Sequence, residues 1–161
     1  MARSVLPSLL LALLLPWASA SAGGLQPFHP DSLDQIVESR EGRPFLLALW
    51  SVTCPPCMKE LGVLQQARAD HPDLDVVLIS TDGPDARAEA QEILAHFNLE
   101  GADNWIFSDG HAVRLRHHID PDWFGELPRT YFYDADHQRK SHSGALPPDR
   151  LADWVESATR R

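Results

Sequence analysis

Cysteine is scarce in this chain of 161 residues, which has only Cys54 and Cys57. A disulfide bond stabilises chiefly by closing a long loop, and a bond between positions three apart closes almost none. Positive charge is also in deficit, with 14 Lys and Arg against 23 Asp and Glu. Because nucleic-acid binding relies on clustered Lys and Arg, this balance argues against nucleic acid as a partner.

Apolar runs long enough to span a membrane are absent as well. A membrane-spanning helix needs roughly 20 apolar residues. A short leucine-rich run covers Val5 to Leu15, behind one basic residue and ahead of several small residues. This pattern is typical of a secretory signal peptide. We therefore predict a signal peptide over residues 1–22, cleaved after Ala20 or Ala22, and one domain over residues 23–161. An uncleaved anchoring segment is the alternative.

The rest of the chain shows strand and helix patterns in alternation. Ser32 and Gln35 have the spacing of a capping box, and Gly42 is a plausible end for the helix that follows. The other predicted elements are a strand at Phe45–Trp50, a helix from Cys54, a strand at Leu74–Ile79, a helix from about Pro84, strands at Trp105–Phe107, Thr130–Tyr133 and Gln138–Ser143, and a last helix from about Pro147. This order predicts a mixed sheet with helices on both faces.

The two cysteines stand where a buried strand gives way to a helix, in the stretch WSVTCPPCMKEL. A four-ligand zinc site would need two more ligands, yet none of the eight histidines lies within ten residues of the pair. Reversible redox chemistry remains. A thiol at a helix N-terminus meets unpaired backbone N–H groups, which lower its pKa and make it a nucleophile. The second thiol is one turn away and can resolve a mixed disulfide.

Three stretches together resemble the thioredoxin superfamily, and within it the TlpA-like and ResA-like thiol-disulfide oxidoreductases of bacterial envelopes. They are FLLALWSVTCPPCMKEL, then VVLIST followed by a helix, and ELPRTYFYDADHQ. The resemblance implies an α/β, thioredoxin-like fold whose mixed central sheet has helices on both faces and an inserted strand-helix unit.

The resemblance also implies roles for three residues of the cysteine motif. Cys54 would be the attacking nucleophile and Cys57 the resolving thiol. Glu60 matches a glutamate that relatives use to tune the proton affinities of the dithiol. The alternative for Glu60 is an exposed acid of the first helical turn, stabilised by the helix end.

A second group of residues would meet the substrate. Pro128 would be a cis proline facing the disulfide, and Leu127 would offer backbone groups to an extended substrate segment. Trp50 is also expected among the substrate-binding residues. Two departures from the relatives bear on this surface. Thr53 stands where many relatives have a second tryptophan, and Arg129 follows the proline where a small or hydroxyl residue is commoner, so the preference for partner charge is expected to differ.

The two prolines between the cysteines favour a direction for the redox reaction. With Cys54 as N-cap, its thiolate could accept from the N–H groups two and three residues on, and Pro56 has none. Chiefly the N–H of Cys57 is left. A thiolate with fewer donors is less stabilised, whereas strong oxidants of this superfamily depend on a very stable reduced form. The sequence therefore favours a reductant.

We predict a monomeric periplasmic thiol-disulfide oxidoreductase that reduces disulfides of envelope proteins, such as those of cytochrome c maturation or of copper sites. It would take electrons from a membrane thiol donor and need neither cofactor nor metal. The first alternative is a disulfide oxidase or isomerase. The second is a copper-handling protein that uses Cys54, Cys57 and a histidine as ligands. The segment Asp120 to Glu126 either joins the partner surface or is a plain connecting loop.

Overall fold

Strands and helices alternate through residues 24–159, the part of the chain that the computed structural model describes. The strands are β1 (Gln26–Phe28), β2 (Phe45–Trp50), β3 (Val76–Ser80), β4 (Asp103–Phe107), β5 (Arg129–Tyr133) and β6 (Arg139–Ser143). The helices are α1 (Ser32–Glu38), α2 (Pro55–Asp70), α3 (Arg87–His96), α4 (Ala112–Ile119) and α5 (Pro148–Thr159). The predicted signal peptide, residues 1–22, lies outside the described residues.

The six described strands form one mixed sheet in the order β1-β4-β3-β2-β5-β6. The first four run parallel to one another, whereas β5 is antiparallel to β2 and pairs with β6 as a hairpin. The predicted mixed sheet with its closing hairpin is therefore confirmed. Because Leu49 of β2 pairs with Arg129 of β5, β5 begins at the edge of the sheet where β2 ends.

Helices cover both faces of the sheet, as predicted. Every residue of β2 is buried, and its side chains alternate between two separate apolar clusters. Leu46, Ala48 and Trp50 face the cluster that includes residues of α2, α3 and α5. Phe45, Leu47 and Leu49 face the cluster that includes residues of α1 and α4. A strand buried on both faces has an unbroken apolar sequence, which is why it was predictable.

The start of α1 differs from the predicted capping box. Asp31 is the N-cap residue, and the Ser32 hydroxyl accepts from the backbone N–H of His29 at 2.9 Å instead of capping the helix. The Gln35 amide donates to Asp31 Oδ2 at 3.0 Å. The helix ends at Glu38, well before Gly42, which adopts a positive φ of 71° in the following turn.

Two described elements, β1 and α4, were absent from the sequence prediction. Strand β1 is three residues long and contains Pro27, so it has too few positions to show an alternation and lies at the sheet edge, where proline is tolerated. Helix α4 does carry a signal, since Ala112, Leu115 and Ile119 have helical spacing. Within residues 24–159 no helix is long and apolar enough to span a membrane.

Candidate active site

The cysteine pair lies at the junction of β2 and α2. Cys54 occupies the N-cap position of α2, and its Sγ accepts a hydrogen bond from the backbone N–H of Cys57 at 3.2 Å. A disulfide bond joins the two sulfurs. Cys54 is partly exposed, whereas Cys57 is fully buried at 0% exposure. An incoming partner can therefore reach the first sulfur and not the second.

The prolines occupy the first two positions of α2, where neither can donate a hydrogen bond. An N-cap side chain accepts from the N–H of the second or third helical residue. The second is Pro56, so the contact from Cys57 is the one that the cap retains. This agrees with the donor predicted from the sequence.

Glu60 lies one helical turn beyond Cys57 and is 2% exposed, so the interpretation as an exposed acid is wrong. Its carboxylate accepts from the Thr130 hydroxyl at 2.7 Å and from the backbone N–H of Leu146 at 2.8 Å. Burial raises the pKa of Glu60, although both hydrogen bonds act in the opposite direction. The side chain thus joins α2 to β5 and to the loop before α5, and it holds a proton more readily than an ordinary glutamate.

The peptide bond between Leu127 and Pro128 is cis. Pro128 is buried, Leu127 is half-buried, and the Pro128 carbonyl accepts from the N–H of Gly144 at 2.9 Å. Because β5 is antiparallel to β2 and starts at the next residue, this segment lies beside the end of β2, where the chain leaves for Cys54. The structure therefore brings the predicted proline segment to the same edge of the sheet as the cysteines.

Trp50, which was expected to contact substrate, is 2% exposed and packs in the apolar cluster that also contains Cys57. A side chain this deeply buried has almost no surface to offer a substrate. Its place in this cluster suits a residue that supports the cysteine motif from within the core. Thr53, by contrast, is exposed beside Cys54.

Arg129 is paired within the protein, and the altered preference for partner charge expected from the sequence stays a prediction. Its side chain is 13% exposed, and the guanidinium pairs with Glu126 at 3.1 Å and with Asp120 at 3.2 Å. Burial alone would raise the pKa of Asp120, but hydrogen bonds from Tyr131 and from a backbone N–H, with the nearby Arg139 and Arg129, hold it below its ordinary value. Arg129 therefore ties the segment before the cis proline to β5.

The segment Asp120 to Glu126 has one exposed large apolar side chain. Phe124 is 92% exposed, three residues before Leu127. Gly125 adopts a positive φ of 99° and lies against the Arg116 side chain of α4, where an added Cβ would come within 3.1 Å of the guanidinium. The segment is thus packed against α4 while Phe124 faces solvent.

Sequence reasoning missed Asp82, which follows β3 and bonds to the loop that precedes Cys54. A signal was available. Asp82 lies in the polar stretch STDG, just past the carboxyl end of a parallel strand. The ends of neighbouring parallel strands meet at one edge of the sheet, which is where sites in α/β proteins gather.

Within the described part of the chain, metal ligands do not gather beside the cysteines. Among residues 24–159 no group of three or more His, Cys, Asp or Glu side chains could hold a metal ion. The copper-handling alternative requires a histidine beside Cys54 and Cys57, and this part of the chain does not place one there.

Comparison with known proteins finds its matches among solved structures. No protein-family model matches the chain, and no curated protein matches it in sequence. A secreted disulfide oxidoreductase of Mycobacterium tuberculosis, described as homologous to E. coli DsbE, is 25% identical with a TM-score of 0.61, over 74% of this chain and 85% of that chain. DsbF of M. tuberculosis is 24% identical with a TM-score of 0.59, over 76% and 85%. StoA of Bacillus subtilis is 18% identical with a TM-score of 0.53, over 71% and 84%.

The sheet, its flanking helices and the cysteine pair at the start of α2 are those of a thioredoxin-like fold. With the likeness to the secreted oxidoreductase of M. tuberculosis, they indicate a thiol-disulfide oxidoreductase of thioredoxin-like fold. The resemblance to thioredoxin-like thiol-disulfide oxidoreductases that the sequence predicted is confirmed by these structural neighbours.

Replacing Pro56 by Ala tests the missing donor at the second helical position. The new N–H should stabilise the Cys54 thiolate, so the pKa of Cys54 should fall and the reduced form should gain stability. A hydrogen bond to a charged group contributes roughly 1.5 to 3 kcal/mol, and about 1.4 kcal/mol corresponds to roughly 30 mV for a two-electron couple. The reduction potential should therefore rise by about 30 to 60 mV. Thiolate absorbance titration and glutathione equilibration measure the two quantities.

Pro55→Ala is the matched control for this variant. It restores an N–H at the first helical position, which an N-cap side chain does not ordinarily use. The control should leave both quantities nearly unchanged. Equal shifts in the two variants, or a potential that falls in Pro56→Ala, would show that Pro56 does not set the donor count at Cys54.

Replacing Glu60 by Gln tests the buried carboxyl through the pH dependence of stability. Because its pKa is raised above the ordinary value of 4.5, the folded protein binds more protons than the unfolded chain between the two pKa values. The stabilisation from the neutral carboxyl is complete below pH 4.5 and is lost as the pH rises through the folded pKa. Gln can still accept from Leu146 and bond to Thr130. Urea unfolding of the oxidised protein should show a weaker decline with rising pH for Glu60→Gln.

Glu100→Gln removes an exposed carboxyl as the control and should keep the wild-type dependence on pH. If Glu60→Gln declined as steeply as the wild type above pH 4.5, the assignment of that decline to Glu60 would fail.

Proposed function

We propose that this protein is an exported reductant that transfers two electrons from its dithiol to disulfides of envelope proteins. The observation that carries the proposal is the asymmetry of the pair. Cys54 is partly exposed at the N-cap with one backbone donor, and Cys57 is buried behind it. This arrangement suits a nucleophile and a resolving thiol that act in order.

The reaction has two exchange steps. The Cys54 thiolate attacks one sulfur of the client disulfide, a new S–S bond forms, and the other client sulfur leaves as a thiolate that takes up a proton. Cys57 then loses its proton and attacks Cys54 Sγ, which releases the second client thiolate. The client gains two electrons, and the protein is left with the Cys54–Cys57 disulfide.

Glu60 is the proposed proton acceptor for Cys57. It lies one turn further along α2 and is buried with it, and its raised pKa suits a group that takes up and returns a proton. The hydrogen bonds from Thr130 and from the Leu146 N–H fix the carboxylate while the dithiol changes its state.

The client surface is proposed to include Leu127 and Pro128 beside Cys54. An extended client segment would pair with the backbone of Leu127 in the manner of an added strand. Phe124, which is 92% exposed three residues earlier, offers apolar area to the same segment. Candidate clients are the cysteines of cytochrome c maturation and of copper sites, and the electrons would come from a membrane thiol donor to the monomeric protein.

Periplasmic location is part of the proposal. It is supported by the signal-peptide pattern of residues 1–22 and by the likeness to a mycobacterial oxidoreductase that is described as secreted. An oxidase or isomerase would use the same dithiol in a different direction. The missing N–H of Pro56 favours the reductant, because it leaves the Cys54 thiolate less stabilised.

Single cysteine variants test the assigned order of attack. Cys54→Ser should abolish reduction of insulin disulfides, because the reachable nucleophile is lost. Cys57→Ser should accumulate a mixed disulfide between Cys54 and the client, since no second thiol resolves it. Turbidity measures the first result, and non-reducing electrophoresis with mass spectrometry measures the second. Activity retained by Cys54→Ser, with no adduct in Cys57→Ser, would reverse the assignment.

A further inference from the structure

The Asp82 carboxylate accepts three hydrogen bonds, two of them from the loop between β2 and Cys54. Its Oδ1 accepts from the Ser51 hydroxyl at 2.8 Å. Its Oδ2 accepts from the backbone N–H of Val52 at 2.9 Å and from the Ser80 hydroxyl at 2.7 Å. Asp82 lies two residues beyond Ser80, the last residue of β3, and Ser51 directly follows the last residue of β2. The carboxylate therefore links the ends of two neighbouring strands at the edge of the sheet that carries the dithiol.

Further hydrogen bonds connect these contacts of Asp82 with Cys54. The Ser51 hydroxyl oxygen accepts from the backbone N–H of Thr53 at 3.3 Å, and the N–H of Cys54 donates to the Ser51 carbonyl at 3.1 Å. Ser51 is 7% exposed and Ser80 is fully buried, so water competes little for these contacts. The path of the backbone into Cys54 is thus fixed from Asp82 through Ser51.

We infer that Asp82 is a positioning residue for the attack by Cys54, an inference that rests on the proposed function. In the attack, a bond forms between Cys54 Sγ and one client sulfur, the client S–S bond breaks, and the other client sulfur leaves as a thiolate that takes a proton from water. The rate depends on the direction from which the nucleophile approaches, because the reacting atoms must be aligned. Asp82 sets that direction by holding Ser51 and Val52, at the start of the loop that leads into the helix cap.

Asp82 contributes both hydrogen-bond geometry and a negative charge, and two substitutions can separate these contributions. Val52 contributes a backbone N–H, which can only donate, whereas the hydroxyls of Ser51 and Ser80 can donate or accept. An Asn at position 82 could accept from Val52 and donate to a serine oxygen, so it can preserve the geometry without the negative charge. An Ala at the same position loses all three contacts of the carboxylate.

The test compares Asp82→Ala with Asp82→Asn in the full exported protein. The measured quantity is the rate constant for reaction of the reduced protein with glutathione disulfide, followed across pH to the plateau where Cys54 is fully a thiolate. Displacement of a reacting group by about 1 Å can cost on the order of a hundredfold in rate. We expect the plateau to fall by about tenfold or more in Asp82→Ala and to stay within about threefold of wild type in Asp82→Asn.

Asp75→Ala is the matched control. Asp75 precedes the opposite end of β3 and accepts two hydrogen bonds from Arg40, at 2.9 and 3.0 Å. Its loss should destabilise the fold and leave the plateau unchanged, which separates positioning from stability. Urea unfolding of each variant gives the folded fraction for which the rates are corrected.

Three results would overturn the inference. The first is a wild-type plateau in Asp82→Ala, and the second is an equal fall in Asp82→Ala and Asp82→Asn, which would assign the effect to charge. If Asp82→Ala does not fold, Ser51→Ala is measured in its place, and an unchanged plateau there is the third. Insulin reduction by the wild type tests the proposed function separately, since the glutathione plateau is measured whether or not insulin is a substrate.

Discussion

The cap that Cys54 places on α2 is the interaction on which the rest of the site depends. One backbone N–H, that of Cys57, meets the Cys54 sulfur at 3.2 Å, and the same helix start buries Cys57 while Cys54 remains partly exposed. The cap therefore fixes which sulfur a partner reaches and how far the thiolate is stabilised. The two prolines limit the number of donors without disturbing the helix, since neither position needs an N–H within the helix.

Two carboxylates hold this cap from different sides. Glu60 joins α2 to Thr130 of β5 and to the Leu146 N–H, within the buried side of the site. Asp82 holds the loop that arrives from β2. The first stays attached to the helix that carries Cys57 and has a raised pKa because it is buried. The second accepts from three donors at the edge of the sheet, so the nucleophile is fixed both along the helix and along the strand.

The elements that were predictable from the sequence are those with a long pattern. Strand β2 has six apolar residues in succession because both faces are buried, and α2 follows a motif whose spacing fixes its start. Strand β1 is too short for any pattern. The polar contacts were harder to predict from the sequence. Arg129 could be taken for a free cation, and it is paired because the fold brings Asp120 and Glu126 to its guanidinium. The helical spacing of α4 was present and was overlooked beside its charged residues.

The reduction potential of the wild-type protein, measured by equilibration with glutathione or dithiothreitol, tests the account most directly. A Cys54 thiolate with one backbone donor leaves the reduced form weakly stabilised, so the potential should lie nearer that of thioredoxin, about −270 mV, than that of the oxidant DsbA, about −120 mV. A value close to that of DsbA would mean that the reduced dithiol is strongly stabilised by another route, and it would contradict the assignment of this protein as a reductant.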